Sequence, residues 1–161
     1  MRILLVGTSY PSSHDDWKGL FIKDIVHVLA SRDTLDIRLW APPGEIPGNV
    51  VNILTRDESA WLHRMLASGG IAHILREKGW KASATVLKLL GLLRRGYRRA
   101  EDADLFHVNW LQNVIPLWGI SKPTVISVLG TDFALLERPG MVPLIRSVLG
   151  QRKAIIAPNA G

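Results

Sequence analysis

Hydrophobic residues fall into short apolar runs that alternate with longer segments of helical spacing. Residues 2–6 are apolar after the first position and show no polar alternation, which is typical of a central parallel strand covered on both faces. A polar loop follows, and residues 21–29 then carry apolar side chains at helical spacing. The start of the chain therefore predicts a strand, a long loop and a helix.

The same pattern continues along the chain. Thr55 and Glu58 have the spacing of a capping box, which predicts that a helix starts there. Strands separated by helices indicate right-handed crossovers, so we expect an α/β fold with a doubly wound, Rossmann-like, mainly parallel sheet flanked by helices. The further predicted strands are 35–40, 50–54, 104–108, 124–129 and 154–157, and the further helices are 71–99 with a break near Gly79, 110–119 and 141–149.

The length and composition of the chain indicate one domain with a net positive charge. A chain of 161 residues matches one domain. Its 20 lysines and arginines exceed its 14 acidic residues, which favours anionic partners. The absence of cysteine excludes disulfides and thiolate metal sites, and it suits a cytoplasmic protein. The longest apolar stretch, residues 84–93, is interrupted by Lys88 and is shorter than the ~18 residues that a membrane span needs.

Familiar catalytic and nucleotide-binding motifs are absent. The first strand-to-helix loop contains only Gly7 and Gly19, so it lacks the G-x-G-x-x-G fingerprint of dinucleotide-binding proteins. No P-loop, G-x-S-x-G or H-E-x-x-H motif occurs. Ligands of doubly wound sheets bind beyond the carboxyl ends of the strands, so the loops after Val6, Val108 and Val128 are the expected location of the chemistry.

Five segments together resemble a known family. In order and spacing they are similar to the N-terminal domain of GT-B glycosyltransferases, specifically the retaining family-4 enzymes that build cell-envelope saccharides. The segments are residues 3–11, 18–24, 104–110, 125–132 and 153–159. The resemblance implies transfer of a sugar from a nucleotide-diphosphate sugar to a saccharide or lipid-linked acceptor, without a metal or other cofactor.

The resemblance also implies roles for single residues. Catalytic roles fall on Asp132 and His107. Many relatives carry a histidine where this chain has Leu129, so we expect Thr131 and Asp132 to provide the contacts near the transferred sugar. The residues implied to bind the donor diphosphate or substrate are Lys18, Gly19, Gly130, Thr131 and Trp110.

Family members also contain a second Rossmann-like domain that binds the nucleotide sugar. These 161 residues contain no counterpart of it. We therefore expect residues 1–161 to be a single acceptor-side domain, to have that C-terminal domain as its partner and to be inactive alone.

Several alternatives remain open. Residues 130–132 also suit a turn and a helix cap, residues 18–19 a helix start, and His107 a hydrogen-bonded core position. The basic segment 71–99 suits either contact with an anionic membrane at the inner face or a helix with a leucine core and solvated arginines. A stand-alone basic module for nucleic acid or anionic lipid is the alternative function, although no nucleic-acid-binding motif supports it.

Overall fold

Strands and helices alternate along the chain, as the apolar pattern predicts. The computed structural model describes residues 1–12, 19–128 and 132–158. Within them the strands are β1 (Arg2–Val6), β2 (Asp36–Trp40), β3 (Val51–Asn52), β4 (Leu105–Asn109), β5 (Thr124–Val128) and β6 (Ala154–Pro158). The α-helices are α1 (Leu20–Ala30), α2 (Arg56–Ala67), α3 (Gly70–Lys78), α4 (Ser83–Arg99), α5 (Asp132–Leu136) and α6 (Met141–Leu149), and 3-10 helices cover Gly79–Ala82 and Leu111–Leu117.

The described strands form one six-stranded sheet in the order β3-β2-β1-β4-β5-β6, and every neighbouring pair is parallel. The chain moves outward from β1 to β3, then returns and adds β4 on the other side of β1. This order is that of the Rossmann-like doubly wound sheet. The predicted α/β class is thus confirmed, and the sheet is entirely parallel.

Helices cover both faces of this sheet. On one face α1 packs on β1 and β2, and its Ile22 and Val26 are fully buried. On the other face α2, α3, α4, α6 and the second 3-10 helix share one apolar cluster with the central strands. β6 differs from the other strands, because Ile155 and Ile156 point to opposite faces and are 66% and 53% exposed.

The capping box at the start of α2 is confirmed. The Thr55 side chain accepts a hydrogen bond from the Glu58 amide, and the Glu58 carboxylate accepts one from the Thr55 amide. Glu58 is buried and also pairs with Arg99 near the end of α4. The cap therefore fixes both the first turn of α2 and its position against α4.

The basic segment forms two helices joined by a 3-10 turn at Gly79–Ala82, which confirms the predicted break. Leu89, Leu92 and Leu93 of α4 are buried, as in the interpretation of this segment as a core helix. Gly96 allows α4 to approach β2, because a Cβ atom there would lie 2.4 Å from Cδ1 of the buried Trp40.

Two elements differ from the sequence prediction. The helix predicted over residues 110–119 is a 3-10 helix, Leu111–Leu117, which contains Pro116. Proline lacks the amide hydrogen that an α-helix interior uses, so the tighter and shorter helix results. The strand predicted over residues 50–54 is shorter, because it pairs with β2 only at Val51 and Asn52, where the Ile53 amide donates to the Leu39 carbonyl.

Candidate functional site

The carboxyl ends of β1, β4 and β5 lie side by side at one edge of the sheet. All the strands are parallel, so the loops that follow these three strands leave from the same edge. The chain direction across the sheet reverses between β1 and β4, and ligands of such sheets bind in the crevice at this reversal. The loops predicted from sequence to carry the chemistry therefore meet at this edge.

Gly19 brings the start of α1 against the loop that follows β1. It caps α1 in the left-handed conformation, with φ 78°. A Cβ atom at this position would lie 2.9 Å from the Ser9 carbonyl carbon and 2.9 Å from the Tyr10 amide nitrogen. Two backbone segments therefore touch here, and only glycine fits without displacing one of them. Lys18, predicted beside it, lies outside the described residues.

Trp110 is the first residue after β4 and has an unusual backbone. Its φ is 65° and its ψ is 132°, and it is the one non-glycine residue with positive φ in the described part of the chain. Its indole meets the ring of Phe21 edge to face, with centroids 5.6 Å apart. Non-glycine residues held in this region cost roughly 1–3 kcal/mol and cluster at functional sites. The turn thus ties the end of β4 to the first turn of α1.

A buried polar cluster joins β1 to β4 beside this turn. The side-chain amide of Asn109 donates to the Val6 carbonyl at 3.0 Å. The amide of Asn113 donates to the Asn109 carbonyl at 2.7 Å and contacts Thr8 Oγ1 at 3.4 Å. Asn109 is fully buried, and its Oδ1 has no hydrogen-bond partner among the described residues. Sequence reasoning missed this cluster, although an asparagine at the end of a buried strand was a visible signal.

His107 lies inside β4, two residues before its end. Its Nε2 atom is 2.9 Å from Ser127 Oγ on β5. Burial lowers the pKa of His107, because the charged imidazolium loses solvation there. The side chain points to the same sheet face as Leu105, which packs with the α1 cluster. His107 is therefore a neutral, hydrogen-bonded side chain that lies along the sheet face behind the edge.

Asp132 is the first residue of α5, which follows β5 closely. It is fully buried, whereas the neighbouring Phe133 is 63% exposed. The position agrees with the predicted turn into a short helix after β5. Gly130 and Thr131, predicted with it as ligand-binding residues, lie outside the described residues, as does Leu129. Of the predicted site residues, Gly19, Trp110 and Asp132 follow neighbouring strands at one sheet edge.

Arginines of the basic segment partly serve the fold. Arg94 donates to the carbonyls of Pro116 and Trp118, both at 2.7 Å, and so caps the second 3-10 helix. On the same helix Leu87 is 68% exposed. Within residues 1–12, 19–128 and 132–158, no helix has the length and hydropathy of a membrane span.

Similarity to known proteins does not identify this chain. Protein-family models, curated proteins and solved structures gave no match. In the described ranges, no three histidine or acidic side chains form a group that could hold a metal ion. The sheet edge itself and the sequence resemblance are therefore the features of this chain that bear on its function.

Proposed function

We propose that this chain is the acceptor-side domain of a retaining GT-B glycosyltransferase similar to family 4. In this proposal the complete enzyme transfers a sugar from a nucleotide-diphosphate sugar to a saccharide or lipid-linked acceptor of the cell envelope. The sheet order β3-β2-β1-β4-β5-β6 supports it, since such sheets bind nucleotides at the strand ends. The five resembling segments of the sequence support the more specific assignment.

One observation carries the proposal: the loops after β1 and β4 converge at the reversal point of the sheet. At Gly19 the absence of a side chain lets the start of α1 pack directly on the backbone of Ser9 and Tyr10, which holds the loop after β1 at this edge. Beside it, Trp110 holds a strained backbone against α1. Strain that the surrounding fold maintains is expected where a ligand site is preorganised.

The roles proposed for the residues are those that the sequence resemblance implies. Lys18 and Gly19 lie against the donor diphosphate, and Trp110 packs beside the substrate. In this proposal Thr131 and Asp132 border the transferred sugar, whereas His107 lies behind the edge, where it bonds to Ser127. The Asp132 side chain is fully buried in this domain.

The exposure of β6 supports a second domain. Parallel strands are normally covered on both faces, yet β6 presents Ile155 on one face and Ile156 on the other, both largely exposed. In the proposed enzyme, polypeptide outside residues 1–161 covers these side chains.

The complete natural polypeptide is the protein to test. Purified protein is incubated with UDP- and GDP-sugars and a membrane extract as acceptor source, and release of nucleoside diphosphate is measured. We expect the wild type to release nucleoside diphosphate. The Asp132→Asn variant should release it more slowly, by a factor on the order of 10². The exposed Asp33 provides the matched variant Asp33→Asn, which keeps the wild-type rate.

Thermal unfolding of both variants separates loss of catalysis from loss of the fold. Asp132→Ala, which also removes the polar group, loses activity as well. A normal rate for a folded Asp132→Asn protein contradicts the role of Asp132. Absence of nucleoside diphosphate release with every nucleotide sugar contradicts the proposed function.

A further inference from the structure

Two adjoining cavities lie at the same edge of the sheet, beside β1, β2 and β3. The first has a volume of about 640 Å³ and lies between the loop after β2 and the first half of α2. The second, of about 290 Å³, lies between Ser9–Ser12 and the second half of α2. Both are lined by Pro43 and His63, so they adjoin along α2 and together form a groove on that helix. We call it the α2 groove.

The charged side chains of the α2 groove are all basic or histidine. Arg56, His63 and Arg64 line it, and no aspartate or glutamate occurs among the described residues that line it. Hydroxyl groups of Ser9, Ser12, Thr55 and Ser59 line the groove as well. A groove of this composition has a positive potential and offers hydrogen-bond donors without a competing carboxylate.

Among the described residues, the two arginines of the groove form no ion pair. Arg2 and Arg38 form ion pairs with aspartates, and Arg99 pairs with Glu58. By contrast, the Arg56 and Arg64 guanidinium groups make no hydrogen bond or ion pair within the part of the chain that the structure describes, and both side chains are exposed. Both guanidinium groups are therefore accessible to an anion.

The spacing of these side chains limits the ligand. Arg56 and His63 are seven residues apart, which places them on the same face of α2, roughly 10 Å apart along the helix axis. Arg64 adds a second guanidinium beside His63. Planar guanidinium groups match the paired oxygens of phosphate, which makes an extended phosphorylated molecule the best complement.

We propose that the α2 groove binds a phosphate group, carried by the sugar acceptor. The assignment to the acceptor rests on the proposed function, whereas phosphate binding by the groove does not. The groove runs from the start of α2 to Ser9 and Tyr10 of the loop after β1, against which Gly19 lies. A phosphate held at Arg56 or at Arg64 directs the remainder of its molecule along this path.

Inorganic pyrophosphate is the probe for the isolated binding step. Amide resonances of ¹⁵N-labelled protein are followed during titration at low and high salt. We expect shifts concentrated in residues 55–67 and weaker binding at high salt. Arg56→Gln with Arg64→Gln weakens binding about tenfold or more, because pyrophosphate is too short to engage both arginines at once and the variant removes whichever charge-assisted contact it makes.

A charge-matched control comes from the opposite edge of the sheet. Arg32→Gln with Arg98→Gln removes the same two charges from exposed sites away from the groove, and it leaves pyrophosphate binding unchanged. If both double variants bind pyrophosphate as the wild type does, or if both weaken it equally, the proposal is overturned.

Vesicles distinguish a lipid phosphate from a soluble one. Co-sedimentation with phosphatidylcholine vesicles is measured with and without phosphatidylglycerol. If only the groove variant loses binding to anionic vesicles, the phosphate is that of a lipid headgroup. If the groove variant loses pyrophosphate binding and sediments like the control variant, the phosphate belongs to a soluble molecule. Either result supports the groove.

The complete polypeptide then separates this inference from the proposed function. The groove variant should raise the KM for the acceptor and leave hydrolysis of the donor sugar nucleotide unchanged. Pyrophosphate binding without any transfer activity upholds the groove and overturns the enzyme assignment. Transfer with an unchanged acceptor KM in the groove variant overturns the assignment to the acceptor.

Discussion

Replacing Gly19 with alanine tests whether the loop after β1 is held tightly against the start of α1. The added Cβ meets two obstacles. The residue has φ 78°, a conformation that an alanine adopts at a cost of roughly 1–2 kcal/mol. The Cβ would also lie 2.9 Å from backbone atoms of Ser9 and Tyr10, which cannot rotate away as a side chain tip can.

The structure contains a control that isolates the first obstacle. Gly140 caps α6 with φ 80°, and a Cβ there has nothing within 4 Å. Gly140→Ala should therefore lower the free energy of unfolding by roughly 1–2 kcal/mol from backbone strain alone. Gly19→Ala adds an overpacking cost of roughly 1–3 kcal/mol, so its total loss is about 2–5 kcal/mol.

Urea unfolding followed by far-UV circular dichroism measures both losses under the same conditions. Gly48→Ala provides the baseline, because it has neither a positive φ nor a neighbour within 4 Å, and it should leave stability unchanged or slightly higher. If Gly19→Ala costs no more than Gly140→Ala, the loop after β1 is not packed on the α1 cap, and the proposed convergence of these segments at the sheet edge fails.

Two further variants test other parts of the account. Gly96→Ala should lower the free energy of unfolding by roughly 1–3 kcal/mol, because its Cβ would meet the buried Trp40 indole. Gly91→Ala on the same helix has open space around it and should raise the free energy of unfolding by roughly 0.5–1 kcal/mol. Urea unfolding measures both values, and equal effects would contradict the packing of Gly96 on Trp40. Burial holds the pKa of His107 in the folded chain below its ordinary value. Below about pH 6.5 the unfolded chain therefore binds a proton that the folded chain does not, so the folded state loses stability as the pH decreases. His107→Gln should reduce the loss of stability between pH 7.5 and 5, and a pH dependence identical to the wild type would show that the histidine is not buried.

The sequence was sufficient for the order and type of most elements, because these depend on local spacing. Neighbouring residues alone determine three of these features: the capping box at Thr55, the break at Gly79 and the strand of residues 2–6. The parallel sheet then follows from the alternation of strands and helices. The pattern did not predict the type of the helix after β4, because Pro116 inside that segment makes it a 3-10 helix.

The site was less accessible because its contacts join distant parts of the chain. Asn109 bonds to Val6 and Asn113 contacts Thr8, which are separations of more than 100 residues that no local pattern records. The positive φ of Trp110 is set by its surroundings and not by its residue type. Gly19 was identified from the resemblance, but its backbone contact with the loop after β1 required the structure.

Hydrogen–deuterium exchange of the complete polypeptide, with and without a nucleotide sugar that it turns over, tests whether the loops after β1 and β4 form one donor site. We expect the donor to protect the backbone amides of residues 7–12, 19–22 and 109–113 together, because those segments meet at one sheet edge. Protection confined to segments outside this edge, with these three unchanged, would show that the donor binds elsewhere.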